Sequence, residues 1–105
     1  MKSYNVRITD HALQDMQSIY DYIADTLFAP DAAMNQYNRI ADSIESLREY
    51  PERHRLFLSE PEHTQGIRLF PIDRYAVIYT VQQDTVTVLR VLYSASDIIE
   101  RLREC

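Results

Sequence analysis

Tyr4, Val6 and Ile8 alternate with polar neighbours, a period of two that predicts a short strand with one covered face. Thr9 and Asp10 come next, and either side chain can accept an orphan amide at a helix start. Apolar residues then recur at Leu13, Met16, Tyr20, Ile23 and Leu27 in steps of three and four, which predicts a helix with one buried stripe. Ala29-Pro30-Asp31 breaks it, because Pro30 disfavours helix at Ala29 but suits the first turn of a new helix. The second helix carries Ala33, Tyr37, Ile40, Ile44 and Leu47 on one face and ends at Tyr50-Pro51. A link this short predicts that the two helices pack antiparallel.

Residues 51 to 66 hold no sustained period and contain two Pro and the sole Gly, so they predict a connecting loop with a short turn or strand at Leu56 to Leu58. From Ile67 the pattern changes. Ile67–Phe70, Tyr75–Val81 and Val86–Tyr93 are rich in β-branched and aromatic residues and read as three strands, the last two joined as a hairpin through Gln82–Thr85. Asp97-Ile98-Ile99-Glu100 has the spacing of a capping box and predicts a short terminal helix with Ile98, Ile99 and Leu102 on its apolar edge. The order implies an α+β fold: an N-terminal strand and a two-helix antiparallel hairpin packed on one face of an antiparallel sheet, with a short C-terminal helix. The other sheet face is expected to be open.

Length and composition narrow this further. The 105 residues, 46% apolar, suit one domain over residues 1–105, since globular domains cluster at about 100 to 150 residues. No run of 18 apolar residues occurs, and Met1–Arg7 lacks the apolar segment of a signal peptide, so the chain is expected in the cytoplasm with no membrane contact. Cys105 is the only cysteine, which excludes an internal disulfide or thiolate cluster. The net charge of −5 disfavours general polyanion binding, because non-specific nucleic-acid affinity comes from displaced counterions. Most of the excess acid lies in residues 1–50, while Arg53, Arg55, Arg68, Arg74 and Arg90 cluster in the second half.

Candidate chemistry is sparse. His11, His54 and His63 form no pair on one helix face, so no metal site is expected, and a chain with one Gly holds no P-loop or dinucleotide fingerprint and calls for no cofactor. Ser94 and Ser96 lack the turn that exposes a nucleophile and suit capping the last helix instead. Tyr20 and Tyr37 fall on helix stripes, and Tyr75 and Tyr79 share a strand face with Val77 and Val81, so these tyrosines read as core. The arginines allow two readings. Arg68, between Ile67 and Leu69, and Arg90, in step with Val86, Val88 and Leu92, could snorkel or pair with Asp73 or Asp84. Alternatively they could project into a shared anion-facing hollow with Tyr93 at its rim. RNA cleavage would add an acid–base pair, and none is evident.

The blocks Ile19-Tyr20-Asp21-Tyr22-Ile23-Ala24, Ala29-Pro30-Asp31-Ala32-Ala33, Ile40…Ile44…Leu47 into Tyr50-Pro51-Glu52-Arg53, Gly66-Ile67-Arg68, Arg74 to Val81 and Val86 to Tyr93 with Asp97-Ile98, in this order, resemble the RelE/ParE superfamily of bacterial toxins. The resemblance implies the toxin half of a type II toxin–antitoxin pair, a curved sheet backed by two helices, and a cognate antitoxin that wraps a segment over the toxin. It also implies one of two targets, DNA gyrase for ParE-like members or mRNA on the ribosome for RelE-like nucleases. The nuclease branch tends to carry a basic residue just after the strand-opening aromatic and an Arg or His past the last strand. This chain has Ala76 and Ser94 there, so the ParE-like reading leads. Its relatives often end the last strand with Arg-Asp, where this chain reads Ser96-Asp97. A third reading is a degenerate member that keeps antitoxin binding alone. Arg53, Arg55, Arg68, Arg74, Arg90 and Tyr93 are the residues expected to face target or antitoxin, and the oligomeric state stays open.

Overall fold

A computed structural model describes residues 3–103; Cys105, and Met1 and Lys2 at the start of the segment read for a signal peptide, lie outside them. The chain runs β1 (Asn5–Ile8), α1 (Asp10–Asp21), a π-helical turn (Tyr22–Thr26), α2 (Pro30–Glu45), two 3₁₀ turns (Ser46–Arg48 and Pro51–Arg53), β2 (Ile67–Ile72), β3 (Tyr75–Gln82), β4 (Thr85–Tyr93) and α3 (Ile98–Arg103). Thr9 caps α1, its hydroxyl oxygen accepting the Ala12 amide at 3.1 Å. Pro30 opens α2 with Asp31 in the first turn, where the helix dipole favours a negative charge.

The sheet order is β1-β4-β3-β2. Two antiparallel hairpins join β2, β3 and β4, and their two-residue connections place Asp73 and Gln83 at positive φ. β1 departs from a wholly antiparallel sheet: it runs parallel to β4, pairing Asn5–Ile8 with Thr85–Val88. Parallel neighbours require a long crossover, which here is the whole helical hairpin and the two strands after it.

One sheet face packs against the helices. Val77, Tyr79, Val86, Val88 and Val91 meet Ala12, Met16, Ile40, Ile44 and Leu47, with Tyr37, Phe70 and Tyr75 half-buried around them. Each such aliphatic side chain taken out of water contributes roughly 1.5–3 kcal/mol. The expected α2 face and the shared Tyr75–Val81 strand face are thus present. The α1 stripe is displaced. Ala12, Met16 and Ile19 point inward, while Leu13 and Leu27 are exposed. The π turn inserts extra backbone after Asp21 and rotates the residues beyond it, so Leu27 leaves the phase that the preceding apolar spacing sets.

The opposite sheet face is less open than the sequence pattern implies. Ile67, Ala76 and Ile78 form a second cluster, onto which Phe57 and the α3 residues Ile98 and Leu102 pack. α3 is tied down by Arg103, whose guanidinium donates to both carboxylate oxygens of Glu62 at 2.9 Å and to the Glu60 carbonyl at 2.7 Å.

Candidate functional site: a groove at the open end of the sheet

A bulge in β4 decides where Arg90 goes. Ile78 lies opposite Arg90 and Tyr79 opposite Val88, so Leu89 is an extra residue without a cross-strand partner. The bulge reverses the strand's facing. Val86 and Val88 point to the helices, whereas Arg90 and Leu92 sit across from Ile78 and Ala76 of the other cluster. Arg90 therefore does not share a face with Val86 and Val88. Arg68 lies opposite Tyr79 on the helix-covered face, so the two arginines occupy opposite sides of the sheet and line no common hollow.

Both are committed within the fold. Arg90, 8% exposed, donates from Nε and Nη2 to the two carboxylate oxygens of Asp15 at 2.7 and 2.9 Å. The partner is Asp15 of α1 rather than Asp73 or Asp84. Asp15 also accepts the Val91 amide at 3.0 Å, and the Thr9 hydroxyl donates to the Leu89 carbonyl at 3.0 Å. These side chains satisfy the β4 edge beyond Ile8, where β1 has ended. Arg68 donates to the backbone carbonyls of His54 at 2.6 Å and Glu52 at 3.1 Å. Arg53 caps the end of the helical hairpin, donating to the Glu49 carbonyl at 2.6 Å, the Tyr50 carbonyl at 3.2 Å and the Ser46 hydroxyl at 2.9 Å. Arg55 is exposed on the strap between the 3₁₀ turn and β2, and its backbone carbonyl accepts the Leu69 amide.

Arg74 and Tyr93 are brought together. Arg74 sits in the β2–β3 turn and Tyr93 ends β4, and both border a groove of about 780 Å³ between the α1 end of the helical hairpin and the ends of β3 and β4. Tyr22 at 54% exposed, Leu27 at 53% and Tyr93 at 47% give it an apolar floor and rim that the fold does not cover. Tyr75 lies beside Tyr93, ring centroids 5.9 Å apart; burial, with Tyr93 adding to it, pushes the Tyr75 hydroxyl above its ordinary pKa, against the nearby Arg74. Arg101 of α3 closes the far side. Among the described residues the guanidiniums of Arg74 and Arg101 make no hydrogen bond or ion pair. Tyr22 and Arg101 escape the sequence reading as site residues, and Leu27, which the spacing assigns to the buried stripe, stands exposed instead. The one signal at Tyr22 is an aromatic side chain off that stripe.

Among the described residues the carboxylate lining the groove, Asp15, is held by Arg90, and no imidazole lines the groove. The three histidines lie elsewhere: His54 is packed on Phe70, His63 meets the Phe57 carbonyl through Nδ1, and His11 borders a separate cavity under α3. No group of three or more His, Cys, Asp or Glu among the described residues is placed to hold a metal ion. No helix among them is long and apolar enough to cross a membrane.

Comparison with known proteins gives one consistent result. A family model described as the ParE toxin of the type II toxin–antitoxin system parDE matches residues 6–98. Toxin RelE2 of Caulobacter vibrioides is 35% identical over 88 residues, covering 83% of this chain and 91% of that protein. Among solved structures, a chain of the chromosomal ParDE system from P. aeruginosa superposes with a TM-score of 0.72 at 20% identity, covering 87% of this chain and 96% of that one. A chain of the RelBE2 toxin–antitoxin complex from Mycobacterium tuberculosis gives 0.63 at 21% identity, covering 91% and 97%. At these identities the structures establish the shared fold.

Proposed function

This chain belongs to the ParE toxin family, the toxin half of a type II toxin–antitoxin pair, and we propose that it acts by binding its target and is silenced by a cognate antitoxin seated in the groove. The observation that carries the reading is the groove itself: exposed Tyr22, Leu27 and Tyr93 between two guanidiniums that no acid among the described residues engages. Contiguous apolar surface rimmed by charge is the mark of a protein-binding site. A segment with apolar side chains and flanking carboxylates satisfies both components at once. Arg74 and Tyr93 are the partner-facing residues in this proposal, with Arg101, Tyr22 and Leu27 added. Arg53, Arg68 and Arg90 act through the fold that presents them.

DNA gyrase in the cytoplasm is the target we favour over mRNA on the ribosome. Neither Ala76 nor Ser94 can supply a cation or a general acid near neutral pH at the positions where nuclease relatives carry basic residues, and the described residues lining the groove include no acid–base pair. The test is co-expression with the product of the adjacent small gene, then purification through a tag on that product. Stable co-purification that a Tyr93→Ala, Arg74→Glu variant abolishes is expected. Supercoiling by purified gyrase should fall on adding the free toxin. Codon-positioned mRNA cuts after induction, with gyrase unaffected, would instead assign the nuclease activity.

A further inference from the structure

The strap from Pro51 to Phe57 closes the outer edge of the sheet. The Phe57 amide donates to the Ile67 carbonyl at 3.0 Å, the Leu69 amide to the Arg55 carbonyl at 3.2 Å, and Leu56 forms a bridge with Arg68. β2 is an edge strand, so without the strap these groups would be open to pairing with another chain. Underneath, one ring of the strap packs on the sheet, beside carbonyls held by Arg68 and Tyr79. His54 stacks on Phe70 with centroids 3.8 Å apart and meets Tyr79 edge-on at 6.3 Å.

The ring's Nε2 is buried with no hydrogen-bond partner among the described residues. As a bare acceptor in a neutral imidazole this nitrogen is tolerable; as a protonated donor it would be a buried charge without an acceptor. The charged groups around it sharpen the asymmetry. Arg53 on the strap lies over the Phe70 ring, Arg68 of β2 donates to the His54 carbonyl, and the Tyr79 hydroxyl of β3 donates to the Pro51 carbonyl. The nearby carboxylate, Glu52, is turned to the Tyr4 hydroxyl. Burial first, then Arg53 and Arg68, hold the His54 pKa below its ordinary 6.5.

We propose that His54 is an acid-sensitive lock on the strap: when the imidazole takes a second proton its ring leaves the Phe70 stack, the strap lifts, and the β2 edge from Ile67 to Leu69 is uncovered. The sign is set by the packing. The folded state excludes the second proton and the released strap accepts it, so the closed form is fully favoured above the ordinary imidazole pKa and is lost as pH falls through the lower folded value. A bacterial cytoplasm that acidifies would thereby convert a sealed edge into an open one.

Nuclear magnetic resonance on the full chain tests this in two readings. The His54 ring should titrate below 6.5, and amide protection at Phe57 and Leu69 should fall roughly tenfold between pH 7.5 and 5 while Val77 and Val86 stay protected. In His54→Phe, which keeps the stack but accepts no proton, protection at Phe57 and Leu69 should be flat with pH. His54→Gln serves the same purpose if the aromatic variant does not fold. A ring titrating at or above 6.5, an equal loss of protection in the neutral variants, or loss that spreads to Val77 and Val86 would each overturn the proposal.

Discussion

The arginines of the strap and mid-sheet differ from the two that border the groove in what surrounds them. Arg53, Arg68 and Arg90 each meet preformed acceptors: carbonyls at the end of the helical hairpin, carbonyls of the strap, or the Asp15 carboxylate. At the groove end, Arg74 and Arg101 stand beside apolar side chains, with no acceptor among the described residues. A guanidinium carries five donors in a fixed fork, so its role depends on whether the fold brings acceptors to it. The difference teaches that a cluster of arginines in a sequence marks capacity for anion recognition, while the surrounding carbonyls decide which members keep it.

The sharpest way to break the comparison is to remove an acceptor from the committed group. Asp15→Ala leaves Arg90 buried without its carboxylate and frees the Val91 amide. Removing one partner of a buried pair costs about 3 kcal/mol or more, which for a domain of this size lowers Tm by on the order of 12 °C. Thermal unfolding followed by circular dichroism measures it. A double variant, Asp15→Leu with Arg90→Met, should recover most of the loss, because an apolar pair of similar volume carries no desolvation cost. A single variant as stable as the parent would place Arg90 among the free arginines after all.

The second effect lies in binding rather than stability. Reversing both groove charges, Arg74→Glu with Arg101→Glu, should weaken the antitoxin complex at least tenfold, largely through slower association, and leave Tm within a few degrees. Titration at two salt concentrations separates the contributions, since the charge-dependent part shrinks as salt rises. The matching change in the committed group, Arg68→Ala, should reverse the pattern. Stability falls by about 1–2 kcal/mol as the His54 and Glu52 carbonyls lose their donor, and affinity holds. If Arg68→Ala weakens binding as much as the groove variant does, the division between the two groups collapses.

How much of this is legible in the sequence depends on how local each cause is. The α2 stripe, the β3 face with Tyr75, Val77 and Tyr79, and the hairpin through Gln83 rest on periods of a few residues, and they stand in the structure as the spacing implies. Alternation misplaces Arg90 because it assumes an unbroken ladder, and the extra residue at Leu89 carries no mark in the sequence. Spacing assigns Leu27 to a buried stripe because a π turn looks like α-helix until its hydrogen bonds are seen. The groove is invisible for a different reason. Its walls come from the π turn, the β2–β3 turn, the end of β4 and α3, segments that meet only once the sheet has formed.

Acid draws the last distinction, between arginines held by carboxylates and those held by carbonyls. Glu62 is 2% exposed, and the Arg103 guanidinium, with the Ser59 hydroxyl at 2.8 Å, pulls its pKa down from the ordinary 4.5 to about 2. A lowered folded value means the pair stabilises the docked α3 in full above the ordinary carboxylate range and loses that contribution progressively as pH falls from there through about 2, with most of it still present at pH 4. At pH 4 the Ile98 and Leu102 methyl resonances should therefore still report contact with Ile78 and Leu89. Arg68 and Arg53 have no proton to lose and no carboxylate to neutralise, so their own bonds carry no pH dependence. Acidification should thus release the strap first and α3 last. Methyl spectra in which α3 detaches at or before the strap would show that Arg103 holds its helix no more firmly than a solvent-exposed pair.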